Sequence, residues 1–241
     1  MKKSFKIECV KYSISADWYE GSTSDRVLLI LMGFTSTRSK QEEFTNYIVR
    51  ATGASALVID YSGHGESPFI LEETRPAQQL LEVIYAYEWI KANYPKAKIS
   101  VIGNSYGSFL AAHLVRYKSV EQLVLRAPAI YRPDALYDLW SLRLKDENTY
   151  RHSIEEYRTN EEELMNNPLF DEAATLVKHA LVVVHEKDEI IPRQTSDAYI
   201  RAFNADSFIM DGFSHSVSQS NVSQEKIIEY QEQIARWLKQ F

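Results

Sequence analysis

The chain has 241 residues, 45% of them apolar and 25% charged, with a net charge of −6: the balance of a globular protein large enough to bury a substantial core. Its basic clusters, Lys2-Lys3 and Lys96-Ala97-Lys98, are too short for a phosphate-binding stripe, and the single cysteine, Cys9, excludes an internal disulfide and a multi-cysteine metal site. Lys6 and Glu8 interrupt the stretch a signal peptide would keep apolar, and no run approaches the roughly 18 apolar residues of a membrane span, so the expectation is a cytoplasmic chain with no nucleic-acid or membrane partner.

In chain order, Phe5 to Ile14 alternates weakly and predicts an antiparallel edge. Short apolar runs follow at Val27 to Met32, Ala56 to Ile59, Ile99 to Ile102, Gln122 to Leu125, Leu181 to Val184 and Ser207 to Met210. Such runs fit strands buried on both faces of a mostly parallel sheet. Between them, Phe44, Tyr47, Ile48 and Ala51 share one helical face, and Leu80, Ile84, Tyr87 and Ile90 share another. The alternation predicts an α/β fold, a mostly parallel central sheet flanked by helices.

One interval breaks this rhythm. From Ala127 to His179 no strand-like run appears; acidic amphipathic helices pass through Glu155-Glu156 and Glu161-Glu162-Glu163 instead. The reading is a small helical cap over 127–179 inserted into a core made of 1–126 and 180–241. Leu136, Leu139, Trp140 and Leu142 are too apolar to leave in water and are expected to pack on the nearby edge of the sheet. Tyr131, Tyr137 and Trp140 either line an acyl or aromatic pocket or serve as packing.

The most informative passage is Gly103-Asn104-Ser105-Tyr106-Gly107, placed where the strand Ile99 to Ile102 hands over to a helical stretch from Phe109 to Tyr117. A strand that turns sharply into a helix strains its corner residue, and small flanking residues let the two arms close. Ser105 is thereby pushed above the sheet, beside helix N-terminal amides that favour developing negative charge. A serine hydroxyl needs a base and a carboxylate to become a nucleophile. Two loops supply candidates: His185 to Pro192 holds Asp188 after one strand, and Asp211-Gly212-Phe213-Ser214-His215 follows the next. Ser105, Asp188 and His215 thus each follow the C-terminal end of a different strand, the edge at which open α/β sheets bind ligands. Gly33 lets the chain turn after Met32, so that the Phe34 amide can face an oxyanion together with that of Tyr106.

Other residues compete for these roles. Glu186 and Glu189 flank Asp188, but the Asp-x-x-Ile-Pro spacing and the shorter side chain favour Asp188, and Asp211 would need an awkward loop to reach His215. His113, His152, His179 and His185 are read as packing or surface histidines, because no metal-ligand spacing joins them.

These segments, with the order Ser, Asp, His, resemble the α/β-hydrolase superfamily. The similarity covers nearly the whole chain and includes Asp60-Tyr61-Ser62-Gly63-His64-Gly65-Glu66-Ser67, which is similar to the Asp-x-Arg-Gly-His-Gly-x-Ser loop of lipase-like and esterase-like members. It is closest to small capped carboxylesterases: cinnamoyl or feruloyl esterases, monoacylglycerol lipases and the serine aminopeptidase-like group. The resemblance implies a cap entering after the sixth strand, at Ala127, and His64 in turn packing rather than as the base. It leaves Asp134 and Asp138 a claim as the acid, since some members carry it after that strand. The chain departs from the family in two places: Met32 stands where a histidine often precedes the oxyanion loop, and Ser62 replaces the arginine. The implied activity is hydrolysis of a small-molecule ester through an acyl-enzyme, with catalytic Ser105, Asp188 and His215, an oxyanion hole from Phe34 and Tyr106, and no metal or organic cofactor. Thioester or aminopeptidase-like substrates, and a non-catalytic binding role, remain as alternatives.

Overall fold

The computed structural model describes residues 1–23, 25–145, 147–173 and 177–241. An eight-stranded sheet organises the chain, built from β1 (Lys2–Glu8), β2 (Ser13–Tyr19), β3 (Arg26–Leu31), β4 (Ser55–Ile59), β5 (Lys98–Asn104), β6 (Val120–Arg126), β7 (Val177–Lys187) and β8 (Asp206–Ser214) in the order β1-β2-β4-β3-β5-β6-β7-β8. The first two strands pair antiparallel, as do β2 and β4, and every pairing from β4 through β3 to β8 is parallel.

The reason for the layering is visible in β3. Val27, Leu29 and Leu31 point into one apolar layer and Leu28 and Ile30 into the other, so the strand is buried on both faces. On the first face lie α2 (Pro76–Asn93), α3 (Tyr106–Leu114) and α8 (Arg193–Phe203); on the second lie α1 (Glu42–Thr52) and α9 (Gln224–Leu238). Between β6 and β7 the described residues form α4 (Trp140–Leu144), α5 (Glu147–Thr159), α6 (Glu161–Met165) and α7 (Leu169–Ala173), whose buried apolar residues merge with the first layer.

Several expectations need correcting. The N-terminal edge is a two-stranded hairpin: β1 ends at Glu8, and Ile14 already belongs to β2, whose partners are β1 and β4. The chain enters α3 directly after Ser105 and leaves it at Leu114, earlier than the apolar pattern suggests. Strand β7 starts at Val177, so Val177 to His179 pair with β6 in the sheet and do not belong to the helical insertion. Leu142 is 60% exposed, whereas Leu136 and Trp140 are buried as expected.

Candidate active site

The corner after β5 is as tight as its glycines suggest. Ser105 sits at φ 51, ψ −116, a region that costs an L-residue about 1–3 kcal/mol and persists only where surrounding structure enforces it. A Cβ on Gly107 would lie 2.2 Å from the Leu31 carbonyl oxygen, and one on Gly103 would lie 2.5 Å from the Cα of Ser108. Both glycines are therefore required for close backbone approach. The corner is further tied down because the Ser105 N–H donates to the Arg126 carbonyl at 2.8 Å and the Ser105 carbonyl accepts from Ala129 at 3.2 Å.

Three side chains from three strand ends converge here. His215 Nε2 lies 2.9 Å from Ser105 Oγ, while His215 Nδ1 lies 2.9 and 3.0 Å from the two carboxylate oxygens of Asp188. A carboxylate accepts only, so Nδ1 carries the hydrogen and the unprotonated Nε2 of a neutral ring accepts from the serine hydroxyl. Asp188 is itself fixed: its Oδ1 also accepts from the backbone N–H groups of Ile190 at 2.9 Å and Ile191 at 2.8 Å. Its side chain is 6% exposed and that of His215 14%, so the pair is held away from most solvent.

The rival acids have other occupations. Glu186 accepts from the Gly212 N–H at 2.7 Å and Glu189 from the His215 N–H at 3.1 Å, so both brace the loop that carries the imidazole. Asp211 pairs with Lys226 at 2.8 Å, Asp134 is exposed, and Asp138 lies 3.9 Å from the Arg143 guanidinium. Asp188 is the acidic residue these contacts bring to the His215 ring.

Phe34 lies in a turn closed by the Ser36 N–H on the Gly33 carbonyl at 3.1 Å, with Thr35 in the left-handed region at φ 57. The Phe34 N–H takes no part in the bond that closes the turn, and the Tyr106 N–H, first in α3, has no acceptor within its own helix. The Phe34 ring packs 4.4 Å from Trp140 and 6.0 Å from Tyr106. Beneath them the Tyr106 hydroxyl donates to Gln79 Oε1, which also accepts from Trp140 Nε1 at 3.3 Å. Tyr131 and Trp140 therefore belong to the packed layer under the serine, while Tyr137 is 67% exposed.

The remaining histidines sit apart from the reacting atoms. His64 is buried, with Nδ1 3.3 Å from the Ser62 carbonyl, and burial lowers its pKa. His113 is buried edge-on to Phe109, His152 is exposed near Glu156, and His179 stacks on Phe241. His185, read from the sequence as a packing or surface histidine, is buried, with both ring nitrogens hydrogen-bonded behind the loop that carries His215.

Sequence reasoning gave no sign of the polar supports. Arg38, from the loop after β3, reaches Asp17, Asp60 and Glu66 and so pins the Gly63–Ser67 turn. Buried Glu82 accepts from Tyr12 and from the Ser62 N–H. Only the pairing of charges in space distinguishes such residues from surface ones. Among the described residues no group of three or more His, Cys, Asp or Glu is placed to hold a metal, and no helix is long and apolar enough to cross a membrane.

Comparison with known proteins agrees with this architecture. Residues 22–174 match the family described as serine aminopeptidase, S33. A kynurenine formamidase of Scheffersomyces stipitis is 26% identical over 191 residues, covering 73% of this chain and 68% of that protein. A lysophosphatidylserine lipase ABHD12 of Danio rerio is 30% identical over 106 residues, which is 42% of this chain and only 26% of the lipase. Among solved structures, an esterase of Pyrococcus furiosus superposes with a TM-score of 0.72 at 20% identity, over 100% of this chain and 93% of the other. Est1E of Butyrivibrio proteoclasticus, solved with ferulic acid bound, gives 0.73 at 18% identity, over 97% and 98%. The structural likeness carries the fold; the family match spans well over half the sequence, and the chain belongs to the serine aminopeptidase S33 family of α/β-hydrolases.

Proposed function

We propose that the chain is a serine hydrolase of small carboxylic esters acting through an acyl-enzyme. The observation that carries this reading is the continuous line Ser105 Oγ, His215 Nε2, His215 Nδ1, Asp188, each contact at 2.9–3.0 Å. His215 takes the hydroxyl proton as Ser105 attacks the carbonyl carbon, and Asp188 holds the tautomer and stabilises the imidazolium. The Phe34 and Tyr106 N–H groups receive the oxyanion; neither N–H has an acceptor among the described residues, which supports this assignment. His215 then protonates the leaving alkoxide, and water, activated by the same base, releases the acid and restores Ser105. The helices between β6 and β7 form the cap over this edge and set which acyl groups enter.

Hydrolysis of p-nitrophenyl butyrate tests the reading: the wild-type chain turns it over and Ser105→Ala loses the activity, whereas equal rates in the two would refute it. Stoichiometric labelling of Ser105 by a fluorophosphonate separates an enzyme from a hydrolase-fold binder. The family description and the formamidase relative favour one second reading, hydrolysis of amides by the same acyl-enzyme chemistry. A panel of esters, thioesters and aminoacyl anilides ranks these substrates, and a clear preference for anilides would replace the ester assignment.

A further inference from the structure

Behind His215 lies a buried chain of polar groups that the chemistry above does not use. It starts at Arg126, the last residue of β6, which is 5% exposed and has no carboxylate partner among the described residues. Arg126 Nε donates to the Tyr230 hydroxyl at 2.7 Å, and the guanidinium lies over the rings of Phe44 and Tyr230. The Tyr230 hydroxyl is 3.1 Å from His185 Nε2, and His185 Nδ1 is 2.8 Å from the carbonyl oxygen of Ser214, the residue before His215.

Every hydrogen in this chain has one possible place. A carbonyl can only accept, so His185 Nδ1 is protonated. Burial and the neighbouring Arg126 charge push the His185 ring down to about 4, so at neutral pH its Nε2 is bare. Tyr230 must then donate to Nε2, and its oxygen accepts from the guanidinium, which can only donate. The four groups form a single directed line from a fixed cation to the Ser214 carbonyl, and donors polarised in series hold their acceptor more firmly than an isolated pair.

The local backbone shows why the carbonyl needs holding. Between the pairs His185–Met210 and Lys187–Ser214, β8 carries more residues than β7, and Gly212 absorbs the excess at φ 85. Such an irregularity would let the peptide before His215 rotate unless something outside the ladder fixed it. Glu186 and Glu189 hold the N–H groups of Gly212 and His215; the carbonyl between them is held by His185.

We propose that His185 is a positioning residue for the hydrolytic reaction: with Tyr230 and Arg126 it locks the Ser214–His215 peptide, and through it the direction in which the His215 imidazole faces Ser105. The proposal rests on the triad reading given above. Misplacement of a reacting group by about 1 Å can cost on the order of 100-fold, so loosening this lock should be felt in turnover and not in substrate binding.

The test is steady-state hydrolysis of p-nitrophenyl butyrate, with fluorophosphonate labelling rates and thermal denaturation of each variant. His185→Leu, which removes both ring contacts, should lower kcat about tenfold or more with KM within about twofold, and slow labelling in parallel. His185→Asn, which keeps a side-chain N–H near the Nδ1 position, should recover a substantial part of the loss. Tyr230→Phe removes the middle link and should move kcat in the same direction, and it carries the test if His185→Leu fails to fold. Ile234→Ala, one turn along α9 from Tyr230, opens a cavity while leaving every hydrogen-bonding group of the chain in place and should lower the Tm while leaving kcat within about twofold. The inference is overturned if a folded His185→Leu or Tyr230→Phe keeps kcat within about twofold of wild type, or if Ile234→Ala loses as much kcat at a matched loss of Tm. A wild-type chain inert to both ester and fluorophosphonate would overturn the triad reading and this inference together, whereas an active wild type with unmoved variants removes this inference alone.

Discussion

The sharpest energetic consequence of the structure concerns acid. His113 lies on α3, two turns past Ser105, 7% exposed, with its ring edge-on to Phe109 at 4.5 Å and, among the described residues, no hydrogen-bond partner for its Nδ1. Burial, helped by the charge of Arg116, pushes it down to about 3. In the unfolded chain the same ring titrates near 6.5, so between pH 6.5 and 3 unfolding takes up a proton that the folded state refuses. The stability associated with its neutral form is therefore complete above about pH 6.5 and is lost as pH falls. From pH 7 to pH 5 the loss works out at about 2 kcal/mol, and it stays near that figure for any folded value below about 4.5. His185, pushed down to about 4, contributes a similar loss over the same interval. Together they remove about 4 kcal/mol from a protein whose whole stability is on the order of 5–15 kcal/mol. Glu82 opposes this trend, since burial raises its pKa and makes the folded state the better proton acceptor there. The measurement that isolates His113 is therefore a difference: urea denaturation of wild type and His113→Phe at pH 7 and pH 5. The wild type should lose about 2 kcal/mol more than the variant across that interval, whatever the two stabilities are at pH 7. Equal pH-dependent losses in the two proteins would refute the argument.

Asp188→Asn should fold normally and lower kcat by about 10³–10⁴-fold, because an amide presents the wrong hydrogen to His215 Nδ1; steady-state kinetics with a circular dichroism spectrum checks both halves. Gly107→Ala should destabilise by on the order of 3 kcal/mol or more, since its Cβ would meet the Leu31 carbonyl oxygen at 2.2 Å and backbone cannot step aside cheaply; urea denaturation reads the loss. Arg38→Met should cost about 3–5 kcal/mol by leaving the buried carboxylates of Asp17 and Asp60 without their cation, and adding Asp17→Asn to it should recover part of the deficit in the same assay.

The sheet was legible because its central strands face apolar layers on both sides. A run such as Val27 to Met32 has one meaning when every position is buried, and the spacing of Gly103, Ser105 and Gly107 likewise has few structural solutions. Strand β2 was harder to see because its buried positions include Ser15 and Asp17, polar side chains that are tolerable only with Lys6 and the Glu66 carbonyl, and with Ser4 and Arg38, as partners. Nothing local in Ser13 to Tyr19 announces those partners. The same limit applies at the site. The Asp-x-x-Ile-Pro spacing singles out Asp188, but nothing in the letters shows that Glu186 and Glu189 hold the backbone of the loop that carries His215. Leu142 shows the converse error, since an apolar residue on a short helix need not be covered when its neighbours Leu136 and Trp140 already anchor the segment.

The helices between β6 and β7 are tied by hydrogen bonds to the segments that carry Ser105 and Asp188, which limits how the insertion can change. The segment that leads out of β6 is held to the Ser105 corner itself, through Ala129 N–H on the Ser105 carbonyl, and Tyr199 donates to the Ala129 carbonyl at 2.9 Å. From α5, Arg158 donates to the Ile130 carbonyl at 3.1 Å and lies 3.5 Å from that of Ile190, in the loop whose N–H groups fix Asp188. Asn167, just before α7, donates to the Tyr131 carbonyl at 3.1 Å, and Thr195 of α8 donates to the Arg158 carbonyl at 3.2 Å. Apart from Ile190 these residues are buried, so each of the other bonds replaces one that water would otherwise make, and breaking one leaves a polar group unsatisfied at about 1–3 kcal/mol. An insertion tied in this way cannot be exchanged as a detachable module without disturbing the corner that carries Ser105 and the loop that carries Asp188. Its exposed residues Tyr137, Leu142 and Leu144 make none of these ties, so substituting them should leave the Ser105 corner and the Asp188 loop in place.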